Sequence, residues 1–431
     1  MLSREENELV CRVGPGTPMG QTLRRYWLPI CTSAEIGVPD SDPLRAPLLG
    51  QTFVVFRDSN GDVGVLDELC PHRGASLALG RVEEGGIRCL YHGWKFGVDG
   101  ATLDIPNHRD AEFRQRVRAC AYPVREVGSL VWTYIGPPER QPPFPRQAFM
   151  TVPEEHRTVF RVNTAANYLQ MLEGGFDSSH VGVLHSNVAR PGWMTSSFAP
   201  STDGDNPASL VVEDNAPVLE LHDTRFGYYY AAFRRTTRRD TAGAEIRNVR
   251  VVPFVLPTTR IIPAPSVQFT VLEIPRDDEN NSTYLVVHGD KAIDRPKLRA
   301  MMGLVAPYWS EDDHTFRASW RDRFGQDRRR MKESWTGFAG VEQEDCIIAL
   351  SMGPILDRTV EHMVPADRAV TRIRRLLIDC VRRVERGEDP LGVGCEDLTR
   401  VAAYDVNLAA GATWQAVVAD ADSFVKETGH A

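Results

Sequence analysis

Two short loops, each carrying one cysteine and one histidine, constrain this chain more than any other feature of its sequence. Cys70 and His72 lie in the first loop, and Cys89 and His92 lie in the second, within the stretch CPHRGASLALGRVEEGGIRCLYHGW. A zinc finger of the usual kind pairs two cysteines at one end with two histidines at the other. Because each loop here supplies one of each, the pattern favours a [2Fe–2S] cluster held by two thiolates and two imidazoles. A structural zinc site is the alternative.

The residues around these loops predict a small all-β domain. Short apolar runs such as TFVVFRD, VGVLDEL and SLVWTYIG are separated by Asn-Gly, Gly-Gly and Asp-Gly turns, which is typical of antiparallel hairpins. A proline-rich stretch at 136–147 predicts a domain boundary. We therefore expect an N-terminal helical segment at 1–44, the β domain at 45–140 and a larger domain at 150–431.

The larger domain has the pattern of an α+β fold. Residues 208–290 predict strands, and NTAANYLQMLEGGF predicts a helix that ends at Gly174 and Gly175. Residues 365–386 predict an amphipathic helix whose apolar face carries Val370, Ile373, Leu376, Leu377 and Val381. The expected architecture is thus an all-β domain followed by an antiparallel sheet flanked by helices.

Composition and charge exclude several classes of function. The formal net charge of −8 argues against nucleic acid as the main partner, because phosphate binding needs a basic surface. The chain has no apolar run of the ~18 residues that a membrane helix needs. It opens with MLSREENELV, which lacks the apolar region of a secretion signal. With most of the eight cysteines in ordinary segments, we expect a cytoplasmic protein with reduced thiols.

A second group of polar residues occurs in EGGFDSSHVGVLHS, which contains Asp177, His180 and His185. Non-heme Fe(II) sites that activate oxygen use two histidines and one carboxylate and leave positions open for O2 and substrate. The five-residue gap between the histidines does not place both rings on one face of a regular helix. The motif therefore requires a distorted or ending helix. Taken alone, it also fits polar residues at a helix end.

Further segments extend the pattern along most of the chain. They are RVGPGTPMGQTLRRYWLPI, DSSHVGVLH and DRRRMKESWTGFAGVEQEDCIIALSMGPILDRTVEH. With the two loops, they resemble the oxygenase α subunit of the Rieske non-heme iron oxygenases. They look most like the phthalate 4,5-dioxygenase branch, which also includes members that cleave aryl ethers. The resemblance implies a Rieske domain with a [2Fe–2S] cluster, followed by a helix-grip catalytic domain with a mononuclear Fe(II).

The resemblance also implies the ligands of both metal centres. Those of the cluster would be Cys70, His72, Cys89 and His92. Those of the mononuclear iron would be His180 and His185 with a carboxylate from the segment that contains Glu342, Glu344, Asp345 and Asp357. Asp345 matches the position of the family's ligand. Glu344 is the alternative, and on a helix its side chain would point about 100° away from that of Asp345.

For Asp177 the resemblance implies a role between subunits. In the family this carboxylate connects a cluster histidine of one subunit, here His92, to an iron-bound histidine of the next subunit, here His180. A carboxylate in that place orients the ligand and provides an electron route. Such a connection implies a head-to-tail ring, as a homotrimer or as a hexamer of stacked trimers. The competing interpretation is that Asp177 only caps a helix.

The sequence indicates the residues of the substrate pocket less clearly than the metal ligands. The strand FGYYYAAFRRT could present Tyr230 to an apolar pocket and Arg234 to a substrate carboxylate. Asn167 and Gln170, on the helix before Asp177, could also face the pocket. The competing interpretation is that the aromatic residues belong to the ordinary core and the arginine to a solvated hairpin.

The resemblance implies a terminal oxygenase that hydroxylates an aromatic carboxylate such as a phthalate-type compound. Its electrons would come from a separate NAD(P)H-dependent reductase with flavin or iron–sulfur groups, because the chain has no nucleotide-binding glycine-rich loop. One alternative is a monooxygenase or O-demethylase that acts on a methoxy- or aryloxy-substituted aromatic acid. An alternative of another class is a Rieske electron carrier, which would have no use for His180, His185 and Asp345.

Overall fold

The computed structural model describes residues 1–186, 214–235, 239, 243, 245, 247–332, 334–408 and 411–425. By its internal contacts the chain forms two compact units, Val13–Phe144 and a larger unit made of Met1–Arg12 and Pro145–Ala431. In the described part of the chain, no helix is both long and apolar enough to cross a membrane.

The first part of the chain contains short elements. Its helices are α1 (Arg4–Cys11), α2 (Pro18–Leu23) and α3 (Ala111–Arg116). Its strands are β1 (Leu28–Thr32), β2 (Leu44–Leu48), β3 (Gln51–Arg57), β4 (Val63–Asp67), β5 (Arg81–Glu83), β6 (Gly86–Arg88), β7 (Lys95–Phe96), β8 (Thr102–Asp104), β9 (Val124–Val127) and β10 (Leu130–Thr133). Apart from α1, all of these elements belong to the unit Val13–Phe144.

The strands of this unit form antiparallel sheets with the orders β1-β10-β9, β2-β3-β4 and β5-β6-β7-β8. The turn between β5 and β6 consists of Glu84 and Gly85, which both have positive φ, 49° and 75°. A two-residue turn of this kind matches the twist of the strands that it joins. The confirmed all-β architecture places Cys70 and Cys89 in the same buried cluster as Phe56 and Phe96.

The larger unit contains the longer elements. Its helices, besides α1, are α4 (Tyr168–Phe176), α5 (Arg295–Met301), α6 (Val341–Ser351) and α7 (Arg368–Glu385). Its strands are β11 (Arg146–Gln147), β12 (Arg157–Thr164), β13 (Val218–Thr224), β14 (Gly227–Arg234), β15 (Arg247–Val255), β16 (Thr259–Pro263), β17 (Val267–Pro275), β18 (Asn281–Gly289), β19 (Asp397–Leu398) and β20 (Tyr404–Leu408). The part of the predicted strand region at 208–213 lies outside the described residues.

One antiparallel sheet organises this unit, with the order β12-β18-β17-β16-β15-β14-β13 and with β20 paired to β15. Both of its faces are covered. Phe269, Val271 and Leu285 pack on one face with residues of α4, α5 and α6. Val249 and Val251 point to the other face and pack with the C-terminal segment around Trp414. The α+β architecture expected from the sequence is therefore confirmed, and strand alternation decides which side chains of β15 face the helices.

The domain boundaries differ in detail from those expected. Residues 13–44 belong to the unit Val13–Phe144 rather than to a separate segment, because β1 pairs with β10. Residues 1–12 belong to the larger unit, where the hydroxyl of Tyr168 in α4 donates to the carbonyl of Val10 at 2.8 Å.

A buried ionic network fixes the last turns of α4. The carboxylate of Glu173 accepts hydrogen bonds from Nε of Arg358 at 2.9 Å and from Nε of Arg374 at 2.6 Å. Arg374 also pairs with Glu361 at 2.6 Å. Burial alone would raise the pKa of Glu173, but the two guanidinium groups hold it below its usual range. The network therefore ties α4 to α7 and to the segment after α6 through charges that are excluded from water.

We expect Glu173→Gln to destabilise the larger unit by about 3–5 kcal/mol, because it leaves two buried guanidinium groups without their shared carboxylate. The urea midpoint should fall, and hydrogen exchange of the α4 amides should accelerate. The matched control is Glu388→Gln, which removes an exposed partner of Arg386 and should leave both measurements unchanged. Equal stability of the two variants would contradict a structural role for the network.

Candidate metal centres and substrate cavity

The two Cys/His loops of the β unit have the same backbone geometry. The amide of Gly74 donates to the carbonyl of Cys70 at 2.9 Å, and the amide of Gly93 donates to that of Cys89 at 3.0 Å. Both glycines have positive φ, 72° and 76°, which residues with a side chain rarely adopt. The two loops therefore present their cysteine and histidine in matching ways.

The side chains of these loops form a donor set that fits an iron–sulfur cluster. The ring centroids of His72 and His92 lie 4.4 Å apart, and Trp94 stacks on His72 at 4.5 Å. Burial raises the pKa of the Cys70 thiol to about 11, so a bound cation is needed to hold its thiolate at neutral pH. Among the described residues, Nδ1 of His92 is buried without a hydrogen-bond partner. With the buried Cys89, these groups suit a [2Fe–2S] cluster.

The helix α4 ends directly before Asp177, and the chain then makes a short 3₁₀ turn at His180–Gly182. The carboxylate of Asp177 accepts from the amide of Ser179 at 2.7 Å, which closes the turn after the helix. This interruption is what the five-residue histidine spacing requires. It brings the rings of His180 and His185 to a centroid distance of 5.1 Å.

Asp345 completes a convergent group with these two histidines. Its Oδ1 lies 3.7 Å from Nε2 of His180 and 3.2 Å from Nε2 of His185. One ligand atom from each of the three residues lies within 4.8 Å of the others. Asp345 is on α6, which packs against α4, so the fold brings together parts of the chain that are far apart in sequence. Two imidazoles and one carboxylate are the donor set of a mononuclear non-heme iron.

The structure gives Glu344, the alternative third ligand, a different position. Its Oε2 lies 2.7 Å from Nδ1 of His185, whereas Asp345 faces Nε2 of the same ring. Its other oxygen accepts from the hydroxyl of Thr336. Glu344 thus supports a histidine from behind, where it orients the ring and selects its tautomer.

Asp177 occupies the corresponding position behind the other histidine. Its Oδ2 lies 3.7 Å from Nδ1 of His180, and its side chain is 30% exposed. Each imidazole therefore has one carboxylate at Nδ1 and turns Nε2 toward Asp345. The difference between the two is exposure, because the side chain of Glu344 is only 2% exposed.

Electrostatics reinforce this arrangement. Burial alone would lower the pKa of His185, but the carboxylates of Asp345 and Glu344 raise it to about 10. Burial would raise the pKa of Asp345, and the two histidines hold it below its usual range. In the absence of metal, a proton therefore occupies the pair His185–Asp345. A cation binding there displaces that proton, so we expect metal affinity to weaken as pH falls.

A cavity of about 180 Å³ adjoins the three convergent residues and lies between the sheet and the helices α4 and α6. Much of its wall is apolar, with Val252, Ile262, Phe269, Val271, Leu285 and Met302 among the lining residues. Tyr230, Arg250, Arg260 and Glu342 add polar groups to this wall. The cavity can therefore hold an apolar ring beside the metal position while offering a small number of polar contacts.

The four residues predicted from the sequence to contact the substrate lie at different places in the structure. Tyr230 lines the cavity. Arg234 does not, and its Nη2 donates to the carbonyl and hydroxyl of Ser178 at 2.8 Å. Asn167 caps α4, because its side-chain oxygen accepts from the amide of Leu169 at 3.1 Å.

Gln170 also fails to reach this cavity. Its amide nitrogen donates to the carbonyl oxygens of Ala349 and Gly353 at 3.1 and 3.0 Å, and its oxygen accepts from the amide of Leu356 at 2.8 Å. It contributes instead to a second cavity of about 380 Å³, which is bordered by Asp177. The side chains of Asn167 and Gln170 are thus committed to backbone groups of the larger unit.

The sequence interpretation did not place Arg250 and Arg260 at the substrate cavity, whose wall they line in the structure. Both lie in strands that are buried on both faces, so the usual alternation of apolar and polar residues does not mark the inner face. Glu342 was considered only as a metal ligand. Its position three residues before Asp345 on α6 is the signal that could have placed it at the same cavity.

Comparisons with known proteins agree with this geometry. Residues 26–122 match the Rieske [2Fe-2S] domain model, and residues 133–428 match the LigXa C-terminal domain-like model. The chain is 36% identical to the phthalate 4,5-dioxygenase oxygenase subunit of Pseudomonas putida, over 96% of this chain and 94% of that protein. The chain belongs to the Rieske non-heme iron oxygenases. Within that family it is an oxygenase subunit, and it carries a [2Fe–2S] cluster and a mononuclear iron.

Other relatives of this oxygenase have different reactions in their names. The 5,5'-dehydrodivanillate O-demethylase oxygenase subunit of Sphingobium sp. is 29% identical over 91% of this chain and 84% of that protein. Among solved structures, the QL mutant of NdmA from Pseudomonas putida CBB5 with caffeine matches with a TM-score of 0.59 at 16% identity, over 92% of this chain and 99% of that one. The structural match shows the shared fold.

We expect Asp345→Ala to remove the mononuclear iron of the oxygenase and to leave the cluster in place. Iron analysis should fall from about three to about two irons per chain, while the visible spectrum of the cluster stays the same. The matched control is Asp357→Ala, since Asp357 is an exposed carboxylate near the same helix. Two irons in the unmodified protein would support the electron carrier instead, and three in the Asp345 variant would remove Asp345 from the site.

Proposed function

We propose that this oxygenase is the terminal component of a system that hydroxylates an aromatic carboxylate. The observation that carries the proposal is the group His180, His185 and Asp345 beside a largely apolar cavity with Arg250 in its wall. Iron at this group would supply the reductive activation of O2, with electrons from the [2Fe–2S] cluster. The chain's own residues bind the substrate, orient it and exclude water.

Arg250 is the residue best placed to bind the carboxylate. Its Nη1 donates to Asp405 at 3.0 Å, and both side chains are largely buried. Asp405 also accepts from the side chain of Asn248 at 3.1 Å, which holds the ion pair in place. A guanidinium has five N–H donors, so the pair with Asp405 leaves donors for a two-pronged contact to a substrate carboxylate.

The apolar part of the wall would orient the ring. Phe269 and Val271 of β17 and Leu285 of β18 face the cavity from the sheet. Their burial excludes water from the reaction volume and strengthens the contact between Arg250 and a carboxylate. With the substrate carboxylate bound to Arg250, the distance from Arg250 to His180, His185 and Asp345 would determine which atoms of the substrate ring lie nearest to the iron.

A second candidate reaction is monooxygenation with loss of a methyl or aryl group from an ether. The O-demethylase relative favours this candidate. The same cavity and the same anchor would serve both reactions, because they differ in the position at which oxygen is inserted. Product analysis separates them, since only the second reaction divides the substrate, either into formaldehyde and a hydroxylated acid or into two aromatic fragments.

We also propose that electrons reach Asp177 from the cluster of a neighbouring copy, in a homotrimer or in a hexamer of stacked trimers. Asp177 borders the second cavity, whose wall includes Met352, 45% exposed. In the β unit, Leu90 and Tyr91 beside His92 are 62% and 55% exposed. Apolar side chains exposed beside both centres fit a contact between copies.

The remaining partners follow from the same proposal. A separate NAD(P)H-dependent reductase with flavin or iron–sulfur groups would supply the electrons; relatives of the chain are named as oxygenase subunits of systems with more than one component. None of the eight cysteines, all of which lie in the described structure, forms a disulfide, which fits the reducing cytoplasm.

We expect the holoenzyme with a surrogate reductase to convert at least one compound in a panel of phthalates, methoxybenzoates and diphenyl ethers. Arg250→Met should raise the KM for an acidic substrate about 10–100-fold, because a charge-assisted contact is lost. The control is Arg247→Met, an exposed arginine on the same strand, which should leave the KM unchanged. Products identified by mass decide between hydroxylation and ether cleavage. Turnover of neutral arenes alone would contradict the proposed substrate class.

We expect Asp177→Asn to retain both metals and nearly abolish coupled turnover, because the amide cannot serve as the carboxylate behind His180. Iron content and the cluster spectrum should match those of the unmodified protein. Single-turnover experiments with a pre-reduced cluster should show slow oxidation of that cluster. The control is Asp278→Asn in the same unit. Normal turnover of the Asp177 variant would refute the connection between subunits.

A further inference from the structure

A carboxyl group without a cation of its own lines the cavity. Glu342 lies in the first turn of α6 and is 5% exposed. In the described structure its hydrogen bond comes from the thiol of Cys346, with 3.8 Å between Sγ and Oε1. A thiol is a weak donor, so this contact compensates little of the cost of burying a charged carboxylate. Glu342 therefore differs from the other buried carboxylates of the site.

The nearest cations are already committed to other carboxylates. Arg260 pairs with Glu273 at 2.6 Å, and both side chains are almost fully buried. The other oxygen of Glu273 accepts from Asn281 and Thr283 at 2.7 and 2.6 Å, so both of its oxygens are hydrogen-bonded. The single charge of Arg260 therefore balances Glu273 and leaves Glu342 without a counter-ion.

The charge balance makes Glu342 a neutral acid. The pKa of Glu342 is raised to about 8, mainly by burial. The charges of Asp345 and Glu273 also raise it, whereas those of Arg260 and His185 lower it. Burial is the largest cause and does not depend on whether Asp345 binds a metal. A neutral carboxyl carries one O–H donor, and Glu342 lines the wall of the cavity.

A second donor on the same cavity lacks a partner. Nε of Arg260 is buried and has no hydrogen-bond partner among the described residues, although its Nη1 is bound to Glu273. Arg260 passes close to the backbone of α4, since a Cβ built on Gly175 would lie 1.9 Å from that Nε. Arg260 and Glu342 both line the cavity, whose remaining wall is largely apolar.

We propose that Glu342 is a specificity-determining residue that donates a hydrogen bond to an uncharged oxygen on the aromatic substrate. The inference rests on the proposed function, with the substrate carboxylate at Arg250. It narrows the substrate class to aromatic acids with a second oxygen acceptor, such as an ether or a hydroxyl group. A second carboxylate is disfavoured, because Arg260, the arginine near Glu342, already pairs with Glu273.

The test compares two variants on two acids of nearly equal shape. 3-Methoxybenzoate has an ether oxygen where 3-ethylbenzoate has a methylene group. The holoenzyme should bind the methoxy compound about tenfold more tightly, as expected for one buried hydrogen bond. Glu342→Gln keeps an N–H donor and should retain this preference. Glu342→Met keeps the length of the side chain without the donor and should bind both acids equally.

The dissociation constants are measured by anaerobic equilibrium dialysis, so the readout does not depend on turnover. KM and kcat are measured alongside, and the loss in Glu342→Met should appear in KM rather than in kcat. The preference of the unmodified protein should decline as the pH rises above about 8, where Glu342 loses its proton, and that of Glu342→Gln should not. Iron content and thermal midpoint of both variants control for damage to the fold.

The possible outcomes distinguish a failure of the role of Glu342 from a failure of the proposed function on which it rests. A holoenzyme that binds both acids with equal affinity, or a Glu342→Met variant that keeps the preference, overturns the role of Glu342 and leaves the proposed function intact. A holoenzyme that binds neither these two acids nor phthalate overturns the proposed substrate class and this inference with it. Tighter binding of phthalate than of 3-methoxybenzoate overturns the preference for an uncharged oxygen.

Discussion

The paired contacts of Glu173 with Arg358 and Arg374 are the interaction on which the metal centre of the larger unit depends. They hold the last turns of α4 against segments that come much later in the chain. Asp177 ends that helix, and His180 and His185 follow in the short stretch after it, which contains only the 3₁₀ turn His180–Gly182. Because these residues have little regular structure of their own, their positions are set by the helix end that precedes them. A carboxylate that touches neither metal position thereby determines the metal geometry.

The ligands of the two metal centres are brought together in different ways. In the β unit, Cys70 and Cys89 come from two similar loops, and local backbone hydrogen bonds shape each loop. In the larger unit, the third donor comes from α6, and packing between α4 and α6 brings it to the histidines. A loop can be folded by its own turn residues, whereas a ligand set spread over distant helices exists only once the core has formed. The mononuclear site is therefore the part of the molecule most sensitive to changes in packing.

This contrast explains what the sequence could predict. The cluster ligands stand in two short motifs whose residue types and spacing indicate their chemistry. The two iron histidines also stand in a short motif, but that motif alone fits polar residues at a helix end, and the family resemblance was needed to assign it. The choice between Glu344 and Asp345 needed the family resemblance, because both lie on one helix and both contact His185, at different ring nitrogens. The α+β architecture followed from turn residues and from hydrophobic periodicity.

The cavity was harder to predict, for a physical reason. Strands covered on both faces have no polar side that would show which residues face the site, so Arg250 looked like any other arginine in an apolar strand. Asn167 and Gln170 have the residue types of a binding site, yet they satisfy backbone groups of the helix start and of the segment after α6. Polar residues that are buried for structural reasons cannot be separated by sequence from those buried for function.

The balance of charges around the cavity follows from that same burial. Each buried cation of the wall has one carboxylate, Asp405 for Arg250 and Glu273 for Arg260. The histidines are balanced by Asp345, Glu344 and Asp177. Glu342 is the remaining carboxyl group of the wall and has no cation of its own among the described residues, and burial favours its neutral form. A pocket that keeps one carboxylic acid protonated can recognise an oxygen without adding a charge, and this is the property that a site for singly charged aromatic acids requires.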